Sequence, residues 1–232
     1  MSNNLRLLHS EGGQSPWLDN LKRSYITSGH MRKVIDSGIR GLTSNPSIFQ
    51  KAIQGSTDYD VQFSELAKAG KTAVESYWEM VIKDIRDALE LFHPIYLSSD
   101  RQDGYVSVEV DPMLAHDTEG TTRAARHLDQ NVDRPNVMIK IPATQAGLAA
   151  ITEVIAEGIS VNVTLIFSLQ RYREVIDAYM AGLEKAKANG HDLSKIHSVA
   201  SFFVSRVDLE INKRLDAIAT ADARSLMNKS AL

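Results

Sequence analysis

Hydrophobic and polar residues alternate along six short stretches of the chain, and the segments between them repeat apolar residues at helical spacing. The candidate strands are Pro16–Asp19, Gly38–Asn45, Tyr105–Asp111, Val137–Ile141, Val161–Phe167 and Ser198–Val204. Val74, Tyr77, Trp78, Val81, Ile85, Leu89 and Phe92 recur at i, i+3 and i+4, which predicts an amphipathic helix. Leu169, Tyr172, Ile176, Tyr179 and Leu183 predict another, opening after Ser168 as N-cap and closing at Asn189-Gly190. Leu148, Ile151 and Ile155 predict a shorter one stopped by Gly158. Strand and helix in alternation imply a parallel α/β sheet with right-handed crossovers. No linker, repeat or low-complexity tract interrupts the pattern, so a single domain over residues 1–232 is expected.

The alternation inside the strands narrows the fold class. Val106, Val108 and Val110 alternate with Ser107, Glu109 and Asp111. Val161, Val163 and Leu165 alternate with Asn162 and Thr164, Leu42 stands against Thr43 and Asn45, and Val137, Ile139 and Ile141 stand against Met138 and Lys140. An open sheet with helices on both faces has strands that are apolar throughout. One apolar face and one face turning polar toward the C-terminal end fit a (β/α) barrel, with helices outside and polar groups inside. Such barrels carry their sites at the C-terminal ends of the strands.

That rule makes the stretch "NVMIKIPAT" (residues 136–144) the first candidate for chemistry. Lys140 sits near the end of an apolar strand. A surface lysine would snorkel to water. A buried one loses solvation of its ammonium form, and the neutral amine is a nucleophile for carbonyl carbon. Glu109 is the inward carboxylate of the preceding strand, either a salt-bridge partner for Lys140 or a group that moves protons through a water. Asp19 ends "SPWLDN" and reads equally as a helix cap or as an acid/base acting on a substrate hydroxyl. Asn45 in "GLTSNPSIF" suits an N-cap followed by Pro46 at N1, and its amide suits a sugar hydroxyl. Asn162 and Thr164 are inward polar groups that need partners, which a polyol would supply. Ser201 and Arg206 close "SVASFFVSRVD". Arg206 fits an anionic phosphate near a helix N-terminus, or an ion pair with Asp208 or Glu210.

Composition removes other classes. The chain has 232 residues, a formal net charge of -3 and no block of like charge, which gives no electrostatic reason to expect nucleic acid or an anionic membrane. It has no cysteine, so disulfide and thiolate chemistry are excluded and a reducing, cytoplasmic setting is expected. Its N-terminus has no apolar signal region, and no run approaches the roughly 18 apolar residues of a membrane span. Its seven histidines lack metal-site spacing, and no dinucleotide, phosphate-loop or nucleophile-elbow motif occurs. The expectation is chemistry without metal or cofactor.

The stretches "GQSPWLDNL", "GLTSNPSIFQKAI", "VSVEVDP", "MIKIPATQAGLAAI", "GISVNVTLIFSLQRY" and "SFFVSRVD" together resemble transaldolase in its longer bacterial form. They run in order from about Gly13 to Asp208. The resemblance implies a TIM barrel and a Schiff-base enzyme of the pentose phosphate pathway. It would move a dihydroxyacetone unit from sedoheptulose 7-phosphate to glyceraldehyde 3-phosphate, giving erythrose 4-phosphate and fructose 6-phosphate. It implies Lys140 as the Schiff-base lysine and Asp19 as the acid/base of C–C cleavage. Glu109 and Thr164 would orient the catalytic water, and Asn45 and Asn162 would hold dihydroxyacetone hydroxyls. Ser201 and Arg206 would hold the phosphate end, with Phe203 nearby. Two other functions remain open: a lyase that splits fructose 6-phosphate without an acceptor, and an inactive piece that acts only in assembly.

The chain departs from the family pattern in strand number. It offers six of the eight strands of such a barrel. The expectation is therefore an incomplete barrel, a fragment of the family's chain, with weak or absent activity. Its exposed edges would be covered by a homo-oligomer or a swapped assembly.

Overall fold

A computed structural model describes residues 4–230. Six parallel strands form one sheet in chain order: β1 (Trp17–Asp19), β2 (Gly41–Thr43), β3 (Val106–Glu109), β4 (Val137–Pro142), β5 (Val161–Ile166) and β6 (Ser198–Phe202). Helices α1 (Asn4–Ser10), α2 (Arg23–Thr27), α3 (His30–Asp36), α4 (Pro46–Gln54), α5 (Asp60–Lys68) and α6 (Ala73–Ser98) precede β3. The helices α7 (Thr118–Val132), α8 (Gln145–Ala156), α9 (Leu169–Ala188), α10 (Val204–Ile218) and α11 (Ala221–Ser225) follow. The sheet curls enough that Asp19, at the end of β1, and Arg206, just past β6, line one cavity. This is an α/β half-barrel of six strands with helices outside, as the alternation predicts.

The helices start where capping chemistry is strongest. Asn45 accepts from Ile48 N with Pro46 at N1 of α4, and Thr72 and Glu75 form a reciprocal capping box at α6. Thr144 caps α8 and Ser168 caps α9. The outward strand residues Val106, Val108, Ile139, Ile141, Val161 and Val163 join one core with Ile85, Leu89 and Phe92 of α6, Leu128 of α7 and Ile151 and Val154 of α8. Full burial of such a side chain contributes about 1.5–3 kcal/mol. Inside the curl, the N-terminal end is filled by Trp17, Tyr96, Tyr105, Met138 and Val199. A Cβ at Gly41 would stand 2.3 Å from the Trp17 ring, so β2 has to begin with glycine for that indole to sit inside.

Three expectations need correction. β2 and β3 end earlier than the alternation suggests, because Asn45 and Asp111 leave the sheet to cap the following turns. Leu165 is not on the apolar outer face. It has φ 62° at a register shift between Val163 and Ile166, which turns it partly to solvent and gives the buried position to Ile166. The apolar stripe foreseen on α9 is displaced in part. Tyr179 and Leu183 pack against the core as foreseen, but Leu169, Tyr172 and Ile176 are exposed, and Val175, Ala178, Gly182 and Ala186 are the buried residues. Gly182 allows the close packing: a Cβ there would lie 2.8 Å from Ile155 of α8.

Candidate active site

Lys140 lies on β4 and is 6 % exposed. Its Nζ donates to the Ser44 carbonyl at 3.3 Å and stands 3.4 Å from Glu109 Oε2. Glu109 is its register partner on β3, so the pairing of β3 with β4 sets this contact. Burial raises the Glu109 pKa above the ordinary carboxylate range. The Lys140 ammonium opposes this, the Asp19 charge adds to it, and Arg206 opposes it more weakly. A carboxyl held this way binds a proton more readily than a solvated glutamate does.

The pair opens into a cavity of about 410 Å³ at the C-terminal end of the strands. Asp19, Asn45, Thr164, Phe203 and Arg206 share its lining with Lys140 and Glu109. Asp19 does not cap the following helix: α2 has Lys22 at its N-cap position and no side-chain cap bond. Asn45 does cap α4, with Oδ1 accepting from Ile48 N at 3.0 Å. Arg206 forms no ion pair with Asp208 or Glu210. Its guanidinium lies 4.3 Å from the centre of the Phe203 ring, Glu210 pairs with Arg214, and the Phe203 ring stacks on Phe167.

Ser201 and Asn162 sit one layer deeper. Ser201 Oγ donates to Asn162 Oδ1 at 2.9 Å, and Asn162 Nδ2 donates to Ser107 Oγ at 2.9 Å. The inward Asn162 thus has protein partners for its Oδ1 and for one N–H of its amide. Ser107 and Ser44 were missed. Ser44 is fully buried, its Oγ donates to the Ser107 carbonyl at 2.8 Å, and its own carbonyl receives Lys140. Only the inward alternation of Ser107 signalled this layer. Lys51, one turn after Ser47 on α4, was also missed and lines the cavity.

A larger cavity, about 840 Å³, lies at the opposite end, where Val137 and Ser160 stand at the starts of β4 and β5. It contains none of the lysine, carboxylate and amide cluster described above, which lines the smaller cavity. Among the described residues, no group of three or more His, Asp or Glu side chains is placed to hold a metal ion. No helix among them is long and apolar enough to cross a membrane.

Six curled parallel strands with helices outside, and a buried lysine–carboxylate pair at their C-terminal end, define an incomplete (β/α) barrel. The chain belongs to the Transaldolase/Fructose-6-phosphate aldolase family, whose model matches residues 16–231. It is 57 % identical over 224 residues to a transaldolase of Arthrobacter sp., covering 96 % of this chain and 60 % of that protein. It is 56 % identical over 233 residues to transaldolase 2 of Streptomyces avermitilis, covering 100 % of this chain and 62 % of the relative. A transaldolase of Mycobacterium bovis is 54 % identical over 222 residues, with 95 % and 60 % covered. The chain thus spans about 60 % of the length of the curated relatives it matches.

Proposed function

We propose that this chain carries transaldolase chemistry: transfer of a dihydroxyacetone unit between sugar phosphates through a Schiff base on Lys140. The observation that carries it is the Lys140 amine, 3.4 Å from the Glu109 carboxylate and facing a cavity shared with Asp19. The amine attacks only when unprotonated. Glu109, made more basic by burial, is the acceptor for its proton. Lys140 Nζ then adds to the C2 carbonyl of a ketose phosphate. The carbinolamine loses water as Glu109 and Thr164, through a bound water, deliver a proton to the departing oxygen. Asp19 takes the proton of the C4 hydroxyl, the C3–C4 bond breaks, and its electron pair passes into the iminium to leave an enamine. The aldose phosphate departs. The enamine carbon attacks an acceptor aldehyde, Asp19 returns the proton to the new hydroxyl, and water frees the product from Lys140.

In this reading Asn45 and Asn162 hold the dihydroxyacetone oxygens, and Arg206 with Ser201 holds the phosphate end. Arg206 suits that role because no carboxylate among the described residues forms an ion pair with it and the Phe203 ring braces it. A cytoplasmic setting and an assembly of several copies go with the same reading.

The test is reductive trapping. Incubation with fructose 6-phosphate and borohydride should add the mass of a reduced dihydroxyacetone unit at Lys140, and none in Lys140→Met. No adduct in the unsubstituted chain would sink the proposal and leave a role in assembly. The family's description also names fructose-6-phosphate aldolase, which favours a lyase as second reading. Free dihydroxyacetone released without an aldose phosphate acceptor would select it.

A further inference from the structure

A buried charge cluster outside the cavity takes no part in the chemistry above. The Asp84 carboxylate on α6 is fully buried. Its Oδ1 accepts from Arg23 Nε at 2.7 Å, and its Oδ2 accepts from the Tyr59 hydroxyl at 2.8 Å. The guanidinium lies 4.3 Å from the centre of the Tyr59 ring and donates through Nη2 to Gln62 Oε1 at 2.7 Å. Well-packed apolar residues would serve stability as well as such a buried pair does. What the cluster adds is direction, because each charge-assisted bond fixes an angle as well as a distance.

The direction matters for Asp19. Arg23 opens α2, close behind Asp19 in the chain. Lys22, at the N-cap position of α2, makes no side-chain cap bond, and the Arg23 backbone N–H donates instead to the Tyr59 hydroxyl at 3.3 Å. Asp19 is the last residue of β1, a strand of three residues at the edge of the sheet that pairs with β2 alone. The Asp19 carboxylate has no hydrogen-bond or ion-pair partner among the described residues. Its place in the cavity is therefore set by the backbone, by β2 before it and by the turn into α2 after it. Leu21 in that turn is fully buried, but apolar packing is not directional. The cluster on Arg23 is the directional anchor.

We infer that Asp84, together with Tyr59, is a positioning residue for Asp19: by holding Arg23 it fixes the turn that aims the Asp19 carboxyl at the substrate hydroxyl. The inference rests on the Schiff-base reading and deepens it. It assigns the cluster to C–C cleavage and leaves imine formation, the work of Lys140 and Glu109, untouched.

The experiment traps Lys140 with fructose 6-phosphate and borohydride and weighs the adduct. The unsubstituted chain should carry the reduced three-carbon dihydroxyacetone unit. With Asp19 misplaced, the imine forms but its C3–C4 bond stays intact, so Asp84→Asn should carry the reduced six-carbon sugar phosphate. Cleavage should slow about 10- to 100-fold in that variant, the effect of displacing a catalytic group by about 1 Å, while the rate of imine formation is unchanged. Tyr59→Phe keeps the ring against the guanidinium, loses both hydroxyl bonds and should give a mixture of the two adducts. Ile151→Val, a core substitution on α8 away from the cluster, lowers stability alone and should keep the three-carbon adduct. If Asp84→Asn does not fold, Tyr59→Phe decides the matter. A three-carbon adduct formed as fast in the cluster variants as in the unsubstituted chain overturns the inference, and so does a six-carbon adduct in Ile151→Val. No adduct of either size in the unsubstituted chain refutes the Schiff-base reading itself, and the inference falls with it.

Discussion

Lys140 Nζ and Glu109 Oε2 face each other at 3.4 Å, and both side chains are nearly shut off from water. The pairing is imposed by register: the two residues are partners across β3 and β4. Removing one partner leaves the other buried and unpaired. Lys140→Met should therefore abolish the adduct and also change how stability depends on pH. Glu109 has a raised pKa through burial, so its contribution favours folding at acid pH and is lost as pH rises through the folded-state value. Lys140 offsets part of that loss, and methionine does not. Urea denaturation should show Lys140→Met destabilised by about 1–3 kcal/mol in mildly alkaline buffer and by less near about pH 5. An equal loss at both values would contradict this assignment of charges.

Glu109→Gln separates proton transfer from fold. Glutamine keeps the shape and cannot take a proton, so imine formation should slow by about 100-fold or more while the melting profile stays cooperative. The unsubstituted chain should show an acid limb in its imine-formation rate, where Glu109 becomes protonated and stops acting as a base. Burial places that limb above the ordinary glutamate range. The limb should vanish in Glu109→Gln. Stopped-flow rates across the acid range decide it, and an unchanged limb would assign it to another group.

Arg206 and Phe203 make a graded pair. Arg206→Met should raise KM for fructose 6-phosphate about 10- to 100-fold, the worth of a charge-assisted contact, and leave trapping of uncharged dihydroxyacetone unchanged. Phe203→Leu removes the ring 4.3 Å from the guanidinium and should raise KM by only about two- to fivefold, since the ring braces the cation and does not replace it. Equal losses with both donors would show that the substitution had damaged the fold instead.

The strands and the lysine were legible because period-two alternation survives in a sheet that hides one face in a core and turns the other inward. Lys140, Glu109, Asp19 and Thr164 stand where that rule puts them, on the cavity side. What stayed illegible depends on neighbours distant in sequence. The Ser44 hydroxyl reaches the Ser107 carbonyl 63 residues away, and beyond the inward alternation of Ser107 nothing local marks the contact. The Arg23–Asp84 pair at 2.7 Å, with the Tyr59 hydroxyl 2.8 Å from the same carboxylate, joins α2, α6 and the lead into α5 without a sequence signature. Leu165 was misread because a bulge breaks the alternation without changing the residue types. The α9 stripe was right at Tyr179 and Leu183 and wrong at Leu169, Tyr172 and Ile176, because small residues such as Gly182 make its close contact with α8.

The exposed apolar residues next to β6 predict association. Leu169, Tyr172, Ile176 and Met180 of α9 and Val204 of α10 are exposed, with Phe167 exposed beside them. No residue of α10 is buried, although Val204, Val207, Ile211 and Leu215 give it an apolar side. Contiguous apolar surface of this kind favours contact with a second surface, and a sheet edge beside it offers unpaired backbone groups. Sedimentation velocity over a hundredfold concentration range should show this chain shifting from monomer to a larger species. Ile176→Glu with Met180→Glu should hold it monomeric, because two charges on the contact face would have to be desolvated. Both side chains are about half exposed in the monomer, so the pair of substitutions should leave thermal stability at low concentration within about 1 kcal/mol. A chain that stays monomeric and fully folded throughout the range would refute the association.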